Sequence, residues 1–158
     1  GYVVKAFRWL GYEAFGVDIS EWAIKNADEE VRSFLNWSEN SPPALPEEFD
    51  WVIAKDVLEH VPEVGQVVEH LMDTAKVGVF AVVPLAHGPE KDILPHGYDV
   101  PEYELDVTHI HRRPLHWWVG QFHRARWAVE GRYRVVGVKD NYAHCPTGNG
   151  FIVARRIG

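Results

Sequence analysis

The chain has 158 residues and a formal net charge of −7, with 46% apolar and 25% charged residues, and this composition excludes disordered and low-complexity proteins. The length predicts one domain, residues 1–158, built around a single core. The lone cysteine, Cys145, excludes an intramolecular disulfide framework and any zinc cluster built from cysteines.

Helix and strand patterns alternate through the first part of the chain. In chain order they predict a helix over 2–10, a strand over 12–17, a helix from 20 to about 33 and a strand over 33–37. Gly11 stands where helices usually end, and Ser20 is a good N-cap for the second helix. The first strand leads directly into Asp18.

The second part of the chain continues the alternation and ends in two strands. It predicts a strand over 49–54, a helix over 63–75, a strand over 77–83, a helix that begins at 114, and strands over 133–138 and 151–155. Prolines mark 38–48 and 84–108 as loops. We therefore expect an open, mostly parallel α/β sheet with helices on both faces and a C-terminal antiparallel hairpin.

Two sequence motifs stand at the ends of predicted strands, where open α/β sheets bind their ligands. GYEAFGVDISEWAI spans the end of the first strand, and FDWVIAKDVLEHVPE spans the third strand and the residues directly after it. In this order and at this spacing they resemble the class I S-adenosylmethionine-dependent methyltransferases, and the resemblance covers nearly the whole chain. It implies a Rossmann-like fold, S-adenosylmethionine as the cofactor and transfer of its methyl group.

The resemblance also implies a glycine-rich loop immediately before the first helix. Gly1 is the residue of this sequence that could belong to the loop, as its last glycine. We therefore expect a sheet that lacks the first strand of the family's fold, and a sequence that lacks the N-terminal segment of the domain.

Further residues are implied to bind the cofactor. Asp18 would accept hydrogen bonds from the ribose hydroxyls, because one carboxylate can accept from both. The other implied positions are Ile19 against the adenine, Asn36 and Trp37 near the adenine edge, and Lys55 and Asp56 along the methionine end.

A shorter motif inside the second segment, Asp56-x-x-Glu59-His60, would project three side chains from one face of a helix. Two carboxylates and an imidazole form a partial shell for a divalent metal. The motif resembles the acid-x-x-Glu-His metal motif of small-RNA 3′-terminal 2′-O-methyltransferases and of ubiquinone-pathway O-methyltransferases. In the RNA enzymes a later histidine completes the site, and here the candidates are His109, which we assign as the ligand, and His111. The alternative is that Glu59 and His60 only shape the loop under the cofactor.

His109 and His111 are also the candidate general bases. Both precede the helix that begins at 114, and an imidazole titrates near neutral pH. Either could therefore take the proton of an acceptor hydroxyl. The alternative for both histidines is a structural role.

These features favour an enzyme that transfers a methyl group from S-adenosylmethionine to an O or N nucleophile of a small molecule. No membrane partner is expected, because no apolar run approaches the roughly 20 residues of a membrane-spanning helix. The lone cysteine favours a cytoplasmic location, and the net acidity argues against nucleic acid as a partner.

The first alternative is a metal-assisted RNA 2′-O-methyltransferase. The metal motif favours it, as do six arginines over 107–134 against one acidic residue. Two further alternatives are a nucleotide-binding domain of the dehydrogenase type and a degenerate, non-catalytic methyltransferase-like module.

Overall fold

The computed structural model describes residues 1–39, 48–85, 107–133 and 148–158. They belong to two compact units, Gly1–Pro46 and Glu47–Gly158. Within the described ranges, no helix is long and apolar enough to cross a membrane. Most of the predicted loop over 84–108 lies outside the described residues. The single domain stays a prediction.

The first unit combines two short parallel strands with three helices. Its elements are α1 (Tyr2–Trp9), β1 (Gly16–Asp18), α2 (Glu21–Lys25), α3 (Glu29–Arg32) and β2 (Leu35–Trp37). β1 pairs with β2 in parallel, so the strand predicted over 12–17 is shorter than expected. Gly11 follows α1 with a φ of 87°, a left-handed conformation that a glycine adopts without steric strain. The predicted helix end is therefore confirmed.

The second predicted helix is two helices in the structure, so its predicted extent is wrong. Ser20 caps α2 as expected, because its hydroxyl accepts from Ala23 N at 3.1 Å. Asp28 then begins α3 by accepting from Glu30 N at 3.1 Å. Its carboxylate also binds Lys5 of α1, and this hydrogen bond holds the pKa of Asp28 below its usual value. A side chain that accepts hydrogen bonds from backbone N–H groups can end one helix and begin another. The spacing of apolar residues does not reveal such a break.

The second unit contains a four-stranded sheet in the order β3-β4-β6-β5. Its elements are β3 (Phe49–Lys55), α4 (Val64–Thr74), β4 (Ala75–Pro84), α5 (Leu115–Gln121), β5 (Trp127–Arg132) and β6 (Asn149–Arg156), with a 3-10 turn, Leu58–His60, between β3 and α4. β3 and β4 are parallel, and β6 is antiparallel to both β4 and β5. The predicted mostly parallel sheet with a closing antiparallel pair is confirmed.

The antiparallel partner of β6 is not the predicted strand. β5 ends at Arg132, one residue before the strand predicted over 133–138, of which 134–138 lie outside the described residues. Gly131 interrupts the apolar pattern of β5 and so conceals it in the sequence. A β-carbon at Gly131 would lie 2.4 Å from Val119 Cγ2, so the packing of α5 on β5 requires glycine there.

α4 and α5 share one apolar core with the sheet. The helix predicted over 63–75 is confirmed as α4, and its Val67, Val68 and Leu71 are at most 6% exposed. Trp118 of α5 is fully buried in the same core. Each such side chain contributes roughly 1.5–3 kcal/mol by leaving water. This core supports the carboxyl ends of β3 and β4, beyond which the candidate site residues of this unit begin.

Gly78 of β4 tests how tightly the sheet is packed. An added β-carbon would lie 2.6 Å from Trp51 and 2.8 Å from the carbonyl oxygen of Ala154. Because a carbonyl inside a sheet cannot move aside, we expect G78A to lower the free energy of unfolding by about 1–3 kcal/mol in urea denaturation. The control is G120A in α5, where a β-carbon meets nothing within 4 Å and no loss is expected. Equal losses in the two variants would contradict this account.

Candidate active site

Asp18 ends β1 with its carboxylate exposed and oriented. The backbone N–H of Ser20 donates to Asp18 Oδ1 at 2.8 Å, and Ser20 in turn caps α2. The start of the helix therefore holds one carboxylate oxygen in place. A carboxylate held in this way is an oriented acceptor at the surface, and it can receive hydrogen bonds from hydroxyl groups.

An exposed apolar surface lies beside Asp18. The register of β1 and β2 pairs Asp18 with Trp37 and places Asn36, which is also exposed, one residue earlier. Trp37 Nε1 donates to the carbonyl of Ile19 at 3.1 Å, which fixes the indole to the turn after β1. Ile19 is 72% exposed and Trp37 is 48% exposed. The structure thus brings four of the predicted cofactor residues to one edge of the first unit.

Gly1 lies at the N-cap of α1, where its carbonyl accepts from Lys5 N at 3.0 Å. A β-carbon there would lie 2.9 Å from Leu35 Cδ1 and 3.3 Å from Val31 Cγ2. A larger residue at this position would therefore press against the side chains of Leu35 and Val31 in its own unit. Its role toward a cofactor stays a prediction.

Lys55 and Asp56 follow one another at the carboxyl end of β3. Asp56 has a φ of 53°, and its N–H donates to Val82 O of β4 at 3.0 Å. Its carboxylate pairs with the ammonium of Lys55. This left-handed residue turns the chain out of the sheet, a conformation that Asp tolerates better than most residues. The predicted helix face carrying Asp56 with the Glu-His pair is therefore wrong, because only Leu58–His60 are helical here.

Glu59, His60 and His109 form a cluster that could hold a metal ion. Each offers one ligand atom, and these atoms all lie within 4.8 Å of one another. The carboxylate of Glu59 is buried, and its Oε1 lies 3.8 Å from His60 Nε2. The rings of His60 and His109 meet edge to face, with their centroids 4.9 Å apart. Three of the four predicted metal ligands thus come together, and Asp56 is not in this group.

The hydrogen bond of His60 selects the tautomer that metal binding needs. His60 Nδ1 lies 3.1 Å from the carbonyl oxygen of Thr108, which can only accept. Nδ1 therefore carries the hydrogen, and in the neutral ring Nε2 keeps its lone pair on the side of Glu59. Metal-bound histidines commonly donate their other N–H in this way. The donor set of one carboxylate and two imidazoles suits a divalent transition metal.

His111 is placed differently from His109. Its Nε2 lies 2.9 Å from Val61 O and 3.3 Å from Pro62 O, so this nitrogen is a donor to backbone carbonyls. Its ring stacks on Trp117, with centroids 5.5 Å apart and an interplanar angle of 29°. Of the two candidate bases, the structure therefore brings only His109 into the cluster.

Residues 1–83 match the family model described as a methyltransferase domain. This segment includes β1 to β3, all of β4 except Pro84, and with them Asp18 and the Glu59-His60 pair. The chain belongs to this methyltransferase family. It is an S-adenosylmethionine-dependent methyltransferase with the Rossmann-like fold of class I, as the resemblance implied. None of the curated proteins compared with the chain matches it.

Solved structures show the same fold across nearly the whole of this methyltransferase. A SAM-dependent methyltransferase from Archaeoglobus fulgidus aligns with a TM-score of 0.68 over 98% of this chain and 80% of its own, at 16% identity. A chain of the Haloferax volcanii complex between the Trm112 methyltransferase activator and a methyltransferase aligns at 0.67, over 100% and 79%, with 15% identity. The methyltransferase domain of bacterial CtHen1-C aligns at 0.60, over 99% and 84%, with 15% identity.

The sequence motifs of this methyltransferase did not identify Thr108, whose carbonyl oxygen orients His60 in the cluster. The carbonyl of Thr108 orients His60 from 48 residues away in the chain. Every residue type except proline has the same backbone groups, so no sequence pattern could single out this one.

Proposed function

We propose that this methyltransferase transfers the methyl group of S-adenosylmethionine to an O or N nucleophile of a small molecule. One observation carries the proposal: the oriented carboxylate of Asp18 lies beside the exposed surfaces of Ile19 and Trp37. An adenosyl group has a ribose diol beside a planar base. The diol needs hydrogen-bond acceptors, and the base needs an apolar surface to pack against. The net charge of −7 supports a small acceptor over nucleic acid.

In this proposal Asp18 accepts hydrogen bonds from the two ribose hydroxyls. Ile19 and Trp37 pack against the adenine, and Lys55 and Asp56 bind the methionine end, as the family resemblance implies. When bound, S-adenosylmethionine would supply a sulfonium methyl carbon that an O or N lone pair attacks in line, with S-adenosylhomocysteine as the leaving group. The chain's contribution is the orientation of donor and acceptor.

A hydroxyl acceptor needs a base, and His109 is the residue that we assign to this step. It lies in the Glu59–His60–His109 cluster, whereas the Nε2–H of His111 is donated to backbone carbonyls. An imidazole takes a hydroxyl proton near neutral pH, which makes the oxygen a better nucleophile.

A metal-assisted mechanism is the second candidate, and the geometry of the cluster favours it. Glu59, His60 and His109 would hold a divalent ion, since their ligand atoms lie within 4.8 Å of one another and His60 has the required tautomer. Such an ion would lower the pKa of a bound hydroxyl, the role otherwise given to a base. With a metal in place, His109 is a ligand and not the base.

An RNA acceptor would use the same cluster but needs phosphate contacts as well. Two of the arginines over 107–133 are already paired, Arg124 with Asp73 and Arg132 with Glu130. These pairs lower the positive charge available to RNA, which supports the small molecule as the preferred acceptor. The cytoplasmic location stays a prediction.

Calorimetric titration of S-adenosylhomocysteine, followed by methyl-transfer assays read by mass spectrometry, tests this function. We expect micromolar binding and a gain of one methyl group on a small hydroxylated or amine acceptor. No binding by the folded protein would overturn the proposal. Parallel assays in EDTA separate the two mechanisms, because an unchanged rate contradicts metal assistance and a lost rate supports it.

A further inference from the structure

The segment that carries His109 has neither helix nor strand over residues 107–114. Metal ligands must be held within about 0.5 Å of their working geometry. Irregular segments are more mobile than the helices and strands they connect unless other bonds restrain them. The question is therefore what holds His109 beside Glu59 and His60.

Three hydrogen bonds join this segment to the turn that carries the other two ligands. The N–H groups of Ile110 and His111 both donate to the carbonyl of Glu59, at 2.8 and 3.1 Å. His60 Nδ1 donates to Thr108 O at 3.1 Å. These bonds flank His109 on both sides along the chain.

The side chain of His111 adds the fourth connection. Its Nε2 donates to Val61 O at 2.9 Å, directly after His60 in the chain. Its ring stacks on Trp117 and meets Trp118 edge on, at a centroid distance of 6.1 Å. Because Trp118 is fully buried in the core, the His111 ring links the turn and the His109 segment to the rigid helix α5.

We propose that His111 is a positioning residue of the Glu59–His60–His109 metal site. It acts through the backbone: its ring N–H fixes the carbonyl after His60, and its own N–H fixes the carbonyl of Glu59. His111 lies outside the group of ligand atoms, and its Nε2, which is used as a donor, can be neither a ligand atom nor a base. This inference rests on the metal-assisted mechanism proposed above.

Titration of the full chain with Co²⁺, followed by the visible absorption of the bound ion, tests this role. H111Q and H111M form a matched pair, because the two side chains have similar shapes and only glutamine keeps an N–H donor near the position of Nε2. We expect H111M to bind Co²⁺ about 10- to 100-fold more weakly and with an altered spectrum. H111Q should stay within a few-fold of the unsubstituted protein.

Further variants distinguish the possible failures. H111F keeps a planar ring against Trp117 without the donor and should also weaken binding, while H116F, at an exposed position of α5, is its control. Equal Co²⁺ affinity and spectra for H111M, H111F and the unsubstituted protein would overturn the positioning role alone. If the unsubstituted protein binds no Co²⁺, or if H60A binds it equally well, the metal site itself is wrong and the inference with it. Binding of S-adenosylhomocysteine by each variant shows that it is folded.

Discussion

Replacing Asp18 by alanine should lower the affinity for S-adenosylhomocysteine about 100-fold or more. Asp18 is proposed to accept two charge-assisted hydrogen bonds from the ribose, each contributing roughly 1.5–3 kcal/mol. Each loss of about 1.4 kcal/mol is a tenfold loss of affinity. Calorimetric titration of the ligand into both proteins measures the ratio directly.

The matched control is E21A, which removes an acidic side chain of the same charge three residues further on. Glu21 is exposed and pairs with Lys25 at 2.8 Å on α2, so its loss tests a general electrostatic effect. We expect E21A to change the affinity less than about twofold, because exposed pairs contribute little. D18N keeps the shape of the side chain and should be affected less than D18A. Similar affinities for D18A and E21A would remove Asp18 from the cofactor site.

The second large effect concerns the metal ligands. H60A and H109A should each weaken Co²⁺ or Mn²⁺ binding by more than about 100-fold, because loss of a ligand exceeds the 10- to 100-fold effect of losing an outer-shell partner. Each histidine supplies one of the three ligand atoms that lie within 4.8 Å of one another. H123A, at an exposed histidine beyond α5, is the control and should bind as tightly as the unsubstituted protein.

The sequence motif and the structure assign different roles to Asp56. The motif includes this carboxylate as a ligand, whereas the structure leaves it out of the cluster and pairs it with Lys55. D56N should therefore change Co²⁺ affinity less than about tenfold, and asparagine also tolerates the φ of 53°. A loss as large as that of H60A would restore Asp56 as a ligand and contradict the observed grouping.

Elements whose signals are local were predicted with their correct type and place. The apolar residues of α4 follow helical spacing, and β4 contains the unbroken apolar run 77–83 in the interior of the sheet. Gly11 ends α1 because a left-handed φ favours glycine wherever it occurs. The end of β1 at Asp18 was predicted in the same way, since the strand before it and the helix cap after it are both local features, while its role toward a cofactor stays a prediction.

Elements whose bounds depend on competing hydrogen bonds, or on contacts with residues far away in the sequence, were predicted less well. The capping of α3 by Asp28 divides a helix that the apolar spacing shows as continuous. β5 was missed because Gly131, required by the packing of Val119, interrupts its pattern. Asp56 was placed on a helix because the spacing of the motif carries no information about the left-handed turn after β3.

The sequence by itself determined the family, the place of most strands and the residue types of the candidate site, because each depends on neighbours along the chain. Only the tertiary structure decided which histidine joins Glu59 and His60. His109 and His111 are two residues apart, and although His109 is assigned as the ligand, no local feature of the sequence tests that choice. The N–H groups of His111 donate to backbone carbonyls of residues 59–62, and its ring stacks on Trp117. His109 instead lies beside Glu59 and His60, and these contacts separate the roles of the two histidines.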